Sequence, residues 1–506
     1  MPSLLPEGAL PRVSRRRDPK SLPQLDHIVV LAPERLTRRL WAEAPGGERL
    51  SAAARRRGMP RAGGSLTLHL SDPCPVTVGF CDPSGPTFAR ASLCRKLAAE
   101  ALAGRPARVG LMTLGAPDDQ RSAWIEMLAG ALLAAHAPMP RFKSSPSPRT
   151  HRLQGITVLD DVPDAQLERV RAEAEGNHLA RWLAALPPNR LDAAGYRGVL
   201  EELATREGWD LTFLDEAALA EEGAGAFLAV ARSNPRRDAG IARLRYRPGE
   251  ADARPAMALV GKGIVFDTGG TNLKPFRSML DMQEDMAGSA VALGTLVALS
   301  RLEFPEPVDC WLAITENRIG PDAYKSRDVV TAANGTTIEI IHTDAEGRMA
   351  LADTLVLAGR EKPGLIIDYA TLTGACVHAL TDRYSGAFTT SERLARVAMA
   401  AGRTSGERVW PFPMDEDFDE AIESSVADVL QCPIENEGDH IVAARFLRRF
   451  VPEDVRWLHL DLAGAHRKGG LGLAPTLQTG FGVRLTVSML LDHQLLGASG
   501  GEDKDN

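Results

Sequence analysis

Val260-Gly-Lys-Gly-Ile-Val-Phe-Asp-Thr-Gly-Gly-Thr-Asn-Leu-Lys-Pro275 runs out of the apolar segment Ala256–Val260 into glycine-rich chain that carries Lys262, Asp267 and Lys274. An apolar run bounded in this way reads as a buried strand, and the glycines after it read as turns holding three charges at the strand's end. In an open sheet of parallel strands, ligands bind at that end. The stretch is not a phosphate loop, because the GxxxxGK[ST] pattern is absent and Gly269-Gly270 precede neither Lys-Ser nor Lys-Thr.

Downstream, strands and helices alternate: a helix over Ser278–Leu302, strands at Cys310–Thr315 and Thr337–Ile341, a helix over Arg348–Arg360, and strands at Leu365–Asp368 and Trp457–Asp461. Alternation of this kind implies a sheet with several parallel strands covered by helices. Upstream, Asp164–Leu186 reads as one long helix with Leu167, Val170, Ala174, Leu179 and Leu183 along one stripe, and Pro187-Pro188 forbids its continuation. Before it, β-rich runs at His27–Leu31, Ser65–Leu70, Val76–Phe80 and Val109–Leu114 are separated by helical stretches at Ala91–Leu102 and Gln120–Ala137. The serine- and proline-rich Phe142–Thr150 reads as a loop near the last strand of that unit.

The expected fold class is α/β, with two α/β domains. The larger, C-terminal one is a mixed, mainly parallel sheet flanked by helices and carries the active site. The division predicted is residues 1–185 for an N-terminal α/β domain with a basic leading segment and a linker helix, 186–498 for the catalytic domain, and 499–506 for a polar, disordered tail.

Composition narrows the function. A chain of 506 residues with 44% hydrophobic and 25% charged residues can bury more than one core. Its net charge of -7 excludes the strongly basic balance of a dedicated nucleic-acid binder. Residues 1–58 hold twelve Lys/Arg against six Asp/Glu, with runs at Arg15-Arg16-Arg17 and Arg55-Arg56-Arg57, which read first as a solvated face and second as a patch for an anionic partner. The six cysteines form no CxxC pair, so a disulfide framework or thiolate zinc site is not expected and a reducing compartment is. No signal peptide is read at the start, and the longest apolar stretch, Met127 to Met139, is too short to span a bilayer. The expectation is a cytoplasmic protein without a membrane partner.

Two further pieces carry chemistry. Asp285 is predicted to lie inside an apolar helix, among Met282, Met286, Ala290, Leu293 and Val297. A carboxylate there needs a partner, since burying it unpaired costs several kcal/mol. Taken alone, a salt bridge explains it better than a metal. The turn His342-Thr-Asp-Ala-Glu-Gly-Arg348 puts Asp344, Glu346 and Arg348 together where one acidic residue would suffice to cap the following helix. Asp267, Asp285, Asp344 and Glu346 then make four carboxylates, which would raise one another's pKa values unless cations intervene. Two divalent ions roughly 3.5–4 Å apart are a natural solution. Lys262 can ligate one of them only as a neutral amine, a state that a nearby divalent charge enforces.

In these three stretches the chain resembles the leucyl aminopeptidase (cytosol aminopeptidase) family, whose members carry a VGKG...FD.GG...KP segment, a D-M-G-G helix and an NTDAEGR turn. Leu186-Pro-Pro-Asn189, Gly225-Ala-Phe-Leu-Ala-Val230, Thr371-Leu-Thr-Gly-Ala375 and His459-Leu-Asp-Leu-Ala-Gly464 are similar as well, so the likeness runs from about residue 180 to about 490. The resemblance implies one metal on Lys262, Asp267, Asp285 and Glu346, and a second, more exchangeable one on Asp267, Asp344 and Glu346, each Zn²⁺ or Mn²⁺. It implies a water or hydroxide between the ions as nucleophile, Lys274 stabilising the oxyanion, and Arg348 holding a bicarbonate as general base. Substrates would be peptides with a free N-terminus, in a pocket that includes Met282, His342, Thr371 and Gly374, and the assembly would be a homo-hexamer.

Three departures stand out. His342 replaces the family's Asn, either hydrogen-bonding its own turn or acting in specificity. Met286-Ala-Gly288 replaces Met-Gly-Gly, and Glu435-Asn-Glu-Gly-Asp-His440 occupies a usually glycine-rich region before the apolar helix Ile441–Phe450. The competing functions are DNA binding by the N-terminal domain, since some bacterial relatives are regulators, and a catalytically silent paralogue, against which the intact charged set counts.

Overall fold

The structure is a computed structural model that describes residues 3–16, 24–59, 61–70, 74–144, 153–435 and 437–496. The expected tail at 499–506, Arg17 of the first basic run, residues 145–150 of the predicted loop and Asn436 lie outside the described residues.

The N-terminal sheet contains β1 (Arg12–Arg15), β2 (His27–Pro33), β3 (Ser65–Leu68), β4 (Val76–Cys81), β5 (Arg108–Thr113) and β6 (Gly155–Val158) in the order β1-β6-β5-β2-β4-β3. All neighbours are parallel except β3 and β4. The central β2 and β4 are buried at every position, as expected of strands covered on both faces.

The rest of the chain supplies β7 (Asp210–Asp215), β8 (Gly240–Tyr246), β9 (Met257–Asp267), β10 (Val308–Asn317), β11 (Val329–Thr331), β12 (Thr337–Glu339), β13 (Leu365–Ala370), β14 (Ser385–Phe388), β15 (Val409–Pro411), β16 (Val429–Leu430) and β17 (Arg456–Asp461). Eight of these form a mixed sheet in the order β15-β14-β17-β13-β9-β10-β8-β7, while β11, β12 and β16 form a small separate one. Its middle, β17-β13-β9-β10, is parallel throughout. Those four carboxyl ends therefore open on the same edge, which is where the charged residues gather.

The helix Asp164–Ala184 joins the two units. Its Leu167 and Val170 enter the core of the N-terminal sheet, whereas Leu179, Ala180 and Leu183 enter the core of the eight-stranded one. It crosses the helix Ala287–Arg301 at Gly176 and Gly294, where a Cβ on Gly176 would stand 2.1 Å from the Gly294 carbonyl oxygen. Among the described residues, no helix is long and apolar enough to cross a membrane.

Two local expectations are corrected. The strand at 256–260 does not give way to turns at Gly261, because β9 continues to Asp267 and Lys262 lies within it. Gly261 is there for close packing: a Cβ would meet Ser289 Cα at 2.4 Å, so the glycine lets the 287–301 helix approach the strand. The real turn begins at Thr268. The predicted helix Ser278–Leu302 is broken into Phe276–Met279, a 3₁₀ turn at Met282–Glu284, and Ala287–Arg301. Asp285 thus occupies the break, with φ -72° and ψ 5°, and not a helix face. From there its carboxylate reaches Lys262 and Thr371, partners that offset its burial.

Candidate metal centre

Lys262 and Asp267 are five residues apart, an odd interval that would point them to opposite faces of a regular strand. The pairing of β9 with β10 shifts register between Thr315 and Glu316, so that Ile264 faces Thr315, Phe266 faces Glu316 and Asp267 faces Asn317. The irregularity brings Asp267 round, so that its side chain and that of Lys262 reach the same centre. Glu346 and Arg348 come from the first turn of the helix Glu346–Arg360. Asp344 and Lys274 come from the turns before it and after β9. Thr371 follows the end of β13.

The charged atoms converge. Lys262 Nζ lies 2.8 Å from Asp285 Oδ1, 2.9 Å from Glu346 Oε1 and 3.0 Å from the Thr371 carbonyl oxygen. Lys274 Nζ lies 2.8 Å from Asp267 Oδ2 and 2.5 Å from Asp344 Oδ1. Oxygens of Asp267, Asp344 and Glu346 all fall within 4.8 Å of one another. This trio is the set expected of the more exchangeable metal. Asp285 joins through Lys262, and its second oxygen, Oδ2, is buried without a hydrogen-bond partner.

Burial and mutual repulsion raise three of the four acids. Burial raises the Asp267 carboxyl to about 7, the Glu346 charge adding to the effect while both lysines oppose it. Burial likewise holds Asp285 well above the usual carboxylate range despite Lys262. Asp344 is raised too, by burial and by Glu346. Only Glu346 is lowered, since burial is outweighed there by Lys262 and Lys274. Burial would lower Lys262, but Asp285, Glu346 and Asp267 raise it, so without metal this lysine is an ammonium ion. It could ligate a divalent ion only as a neutral amine, after losing that proton. The donor set and the bare Asp285 oxygen fit hard or borderline cations held by oxygen with one amine.

Asn317, at the end of β10, escaped the sequence reading. Its Nδ2 donates to Asp267 Oδ1 at 2.7 Å and to the Thr343 carbonyl oxygen at 3.0 Å, which orients the carboxylate and ties it to the 342–346 turn. Thr343 in turn donates from Oγ1 to the Gly269 carbonyl oxygen at 2.6 Å, and Tyr324 donates to the Thr343 carbonyl oxygen at 2.8 Å. A signal was available: Asn317 is a polar residue closing an apolar parallel strand. The strand predicted over Cys310–Thr315 stops two residues short of it.

The expected pocket residues divide. Thr371 donates from Oγ1 to Asp285 Oδ1 at 2.8 Å. Met282 is half-buried in the 3₁₀ turn before Asp285, and Gly374 is exposed as the first residue of the helix Gly374–Leu380. Exposed His342 accepts at Nδ1 from the Asp344 N–H at 3.3 Å, so it hydrogen-bonds its own turn. Arg348 is buried, and its Nη2 donates to both oxygens of Asp439, at 2.8 and 2.9 Å.

A centre of this kind on an α/β fold of two domains defines a metal-dependent aminopeptidase, a hydrolase of peptide bonds. Residues 178–487 match the catalytic domain of the cytosol aminopeptidase family, and the chain belongs to that family. It is 37% identical over 466 residues to a probable cytosol aminopeptidase of Synechococcus sp. (strain JA-3-3Ab), covering 88% of this chain and 90% of the relative. It is 42% identical over 327 residues to one of Syntrophotalea carbinolica, covering 64% of this chain and 65% of that relative. A mutant of tomato leucine aminopeptidase superimposes with a TM-score of 0.84 at 28% identity, over 96% of this chain and 98% of the other. The bottromycin maturation enzyme BotP in complex with Mn superimposes with a TM-score of 0.80 at 31% identity, over 93% and 100%.

Proposed function

We propose that the protein removes N-terminal residues from peptides with two divalent ions, one on Lys262, Asp267, Asp285 and Glu346 and the other on Asp267, Asp344 and Glu346. The observation that carries this reading is the meeting of three carboxylates within 4.8 Å of one another. When bound, such ions polarise the scissile carbonyl and lower the pKa of an attacking water. Zn²⁺ and Mn²⁺ both suit the donors, and Mn accompanies BotP.

The chain's own residues do the rest. Lys274 stays protonated, because the Asp267 charge and its neighbours outweigh burial, and an ammonium there stabilises negative charge developing on the carbonyl oxygen. Asn317 and Thr371 hold Asp267 and Asp285 in position. Met282, Thr371 and Gly374 border the bound N-terminal residue, while His342 braces the turn of Asp344. The resemblance implies a bicarbonate on Arg348 as general base, but in this chain the guanidinium already meets Asp439.

The same reading divides the chain at 185/186 and makes it a cytoplasmic hexamer, which a mass measurement in solution checks. A nucleic-acid role for the basic segment has less support, because Arg15 is engaged by Asp161 at 2.5 Å, which leaves Arg38–Arg39 and Arg55–Arg57 as the exposed arginine clusters among the described residues of that segment. The deciding assay is turnover of aminoacyl amides and dipeptides with Zn²⁺ or Mn²⁺. Metal-dependent release of the N-terminal residue is the expected result; none on any substrate would refute the proposal.

A further inference from the structure

Arg348 shares the first helical turn with Glu346, yet its ion pair is with Asp439 and with none of the four carboxylates of the centre. Its side chain is 2% exposed, so its anion partner must be available inside the protein or admitted from outside. In this chain the partner is built in. Gly438, with φ 62°, turns the chain into the helix Asp439–Arg448, and Asp439, as its first residue, projects a carboxylate onto Arg348 Nη2. Arg348 Nη1 donates to the Gln431 carbonyl oxygen at 3.3 Å. Gln431 is itself fixed to the site turn: its Oε1 accepts from the N–H groups of Ile341 and His342, each at 3.1 Å, and its Nε2 donates to the Ala345 carbonyl oxygen at 3.1 Å. Asp439 is thereby locked, through Arg348 and Gln431, to the segment that delivers Asp344 and Glu346.

We propose that Asp439 fills the anion seat of Arg348, so that this aminopeptidase works without exogenous bicarbonate. Two anions cannot share one buried guanidinium edge without mutual repulsion in a medium of low dielectric constant. The attached carboxylate wins because it loses no translational freedom on binding and stands at a helix N-terminus. It is a positioning residue that acts through Arg348. The Glu435–His440 departure from the family pattern is then a substitution of an internal anion for a diffusible one.

The inference rests on Arg348 flanking the proposed centre, and its test separates the two. Metal-loaded wild-type protein is assayed in carbonate-depleted buffer and again with millimolar bicarbonate, and the rates should agree. Asp439→Ala should lose about tenfold or more in kcat, the scale of a lost charge-assisted hydrogen bond, and regain most of it with bicarbonate. Calorimetric titration with bicarbonate should show binding to Asp439→Ala and none to wild type. Asp439→Gly, which also empties the seat, serves if the alanine variant misfolds. Stimulation of the wild-type enzyme by bicarbonate, or a folded variant that binds no anion, would overturn the proposal. Wild-type protein inactive on every peptide would instead overturn the aminopeptidase reading, with the calorimetry still deciding who occupies Arg348.

Discussion

The candidate metal centre and the seam between the two domains both bury acidic side chains, yet they settle the charge in different ways. In the seam, Glu173 sits between Arg169 and Arg484, 2.9 Å from each, and Arg169 bonds both oxygens of Asp492 at 2.5 and 2.8 Å. Glu407 accepts from the backbone N–H groups of Gly482 and Leu485, both at 2.9 Å. Each of these carboxylates has its own donors. In the centre, two lysines are shared among four carboxylates, three of which point at one another. Arginine forks hold a carboxylate in fixed planar geometry, whereas a lysine is a compact charge that a metal can displace. Burial of acids is therefore common to both regions, and convergence with displaceable cations is what marks the functional one.

The contrast can be broken most severely at Glu346, which with Asp267 is predicted to bridge both ions. Glu346→Ala should lower turnover on the order of 10³-fold or more, because losing metal removes several kcal/mol of transition-state stabilisation. Metal content should fall with it, as elemental analysis of the purified variant would show. Lys274→Ala should keep its metal and lose about 10²–10³-fold in kcat, the usual cost of removing one oxyanion donor. Retained activity with retained metal would make Lys274 only a counter-ion for Asp267 and Asp344. Asn317→Ala touches no ion, and its expected effect is a weakening of metal affinity by about 10–100-fold, read by titration against a chelating indicator.

These residues differ in how far the sequence disclosed them. Asp267, Asp344 and Glu346 were legible because charge in strand-to-helix turns has few structural uses, and the spacing matched a known family. Alternation of apolar runs likewise gave the parallel middle of the large sheet. What was not legible depends on contacts distant in the chain. Gly261 looked like a turn because the helix packed on it lies nearly thirty residues on, around Ser289. The helix break at Asp285 answers to Lys262 and Thr371, and the register shift that aligns Lys262 with Asp267 is a property of two strands. Asn317 and Asp439 were overlooked as site residues for the same reason: their partners, Asp267 and Arg348, are 50 and 91 residues away.

The smallest effect sharpens the comparison from the side of the seam. Burial raises Glu407 to about 7 from its ordinary 4.5. Its folded form therefore keeps the proton longer than the unfolded one, so the stability it contributes is complete below about pH 4.5 and is lost as pH rises through 7. Glu407→Gln should be more stable than wild type at pH 8, by on the order of 2 °C in Tm, with the difference vanishing near pH 5. Metal-dependent turnover should be unaffected, since no metal ligand is involved.

Whether the convergent carboxylates hold two ions, and not merely two lysines, is decided by counting metal. Wild-type protein freed of metal, reloaded with Mn²⁺ or Zn²⁺ and stripped of excess should contain two ions per chain, with peptide hydrolysis rising as they bind and abolished by a chelator. A protein that binds no ion under these conditions, with Lys262 and Lys274 alone neutralising the four carboxylates, would contradict the account.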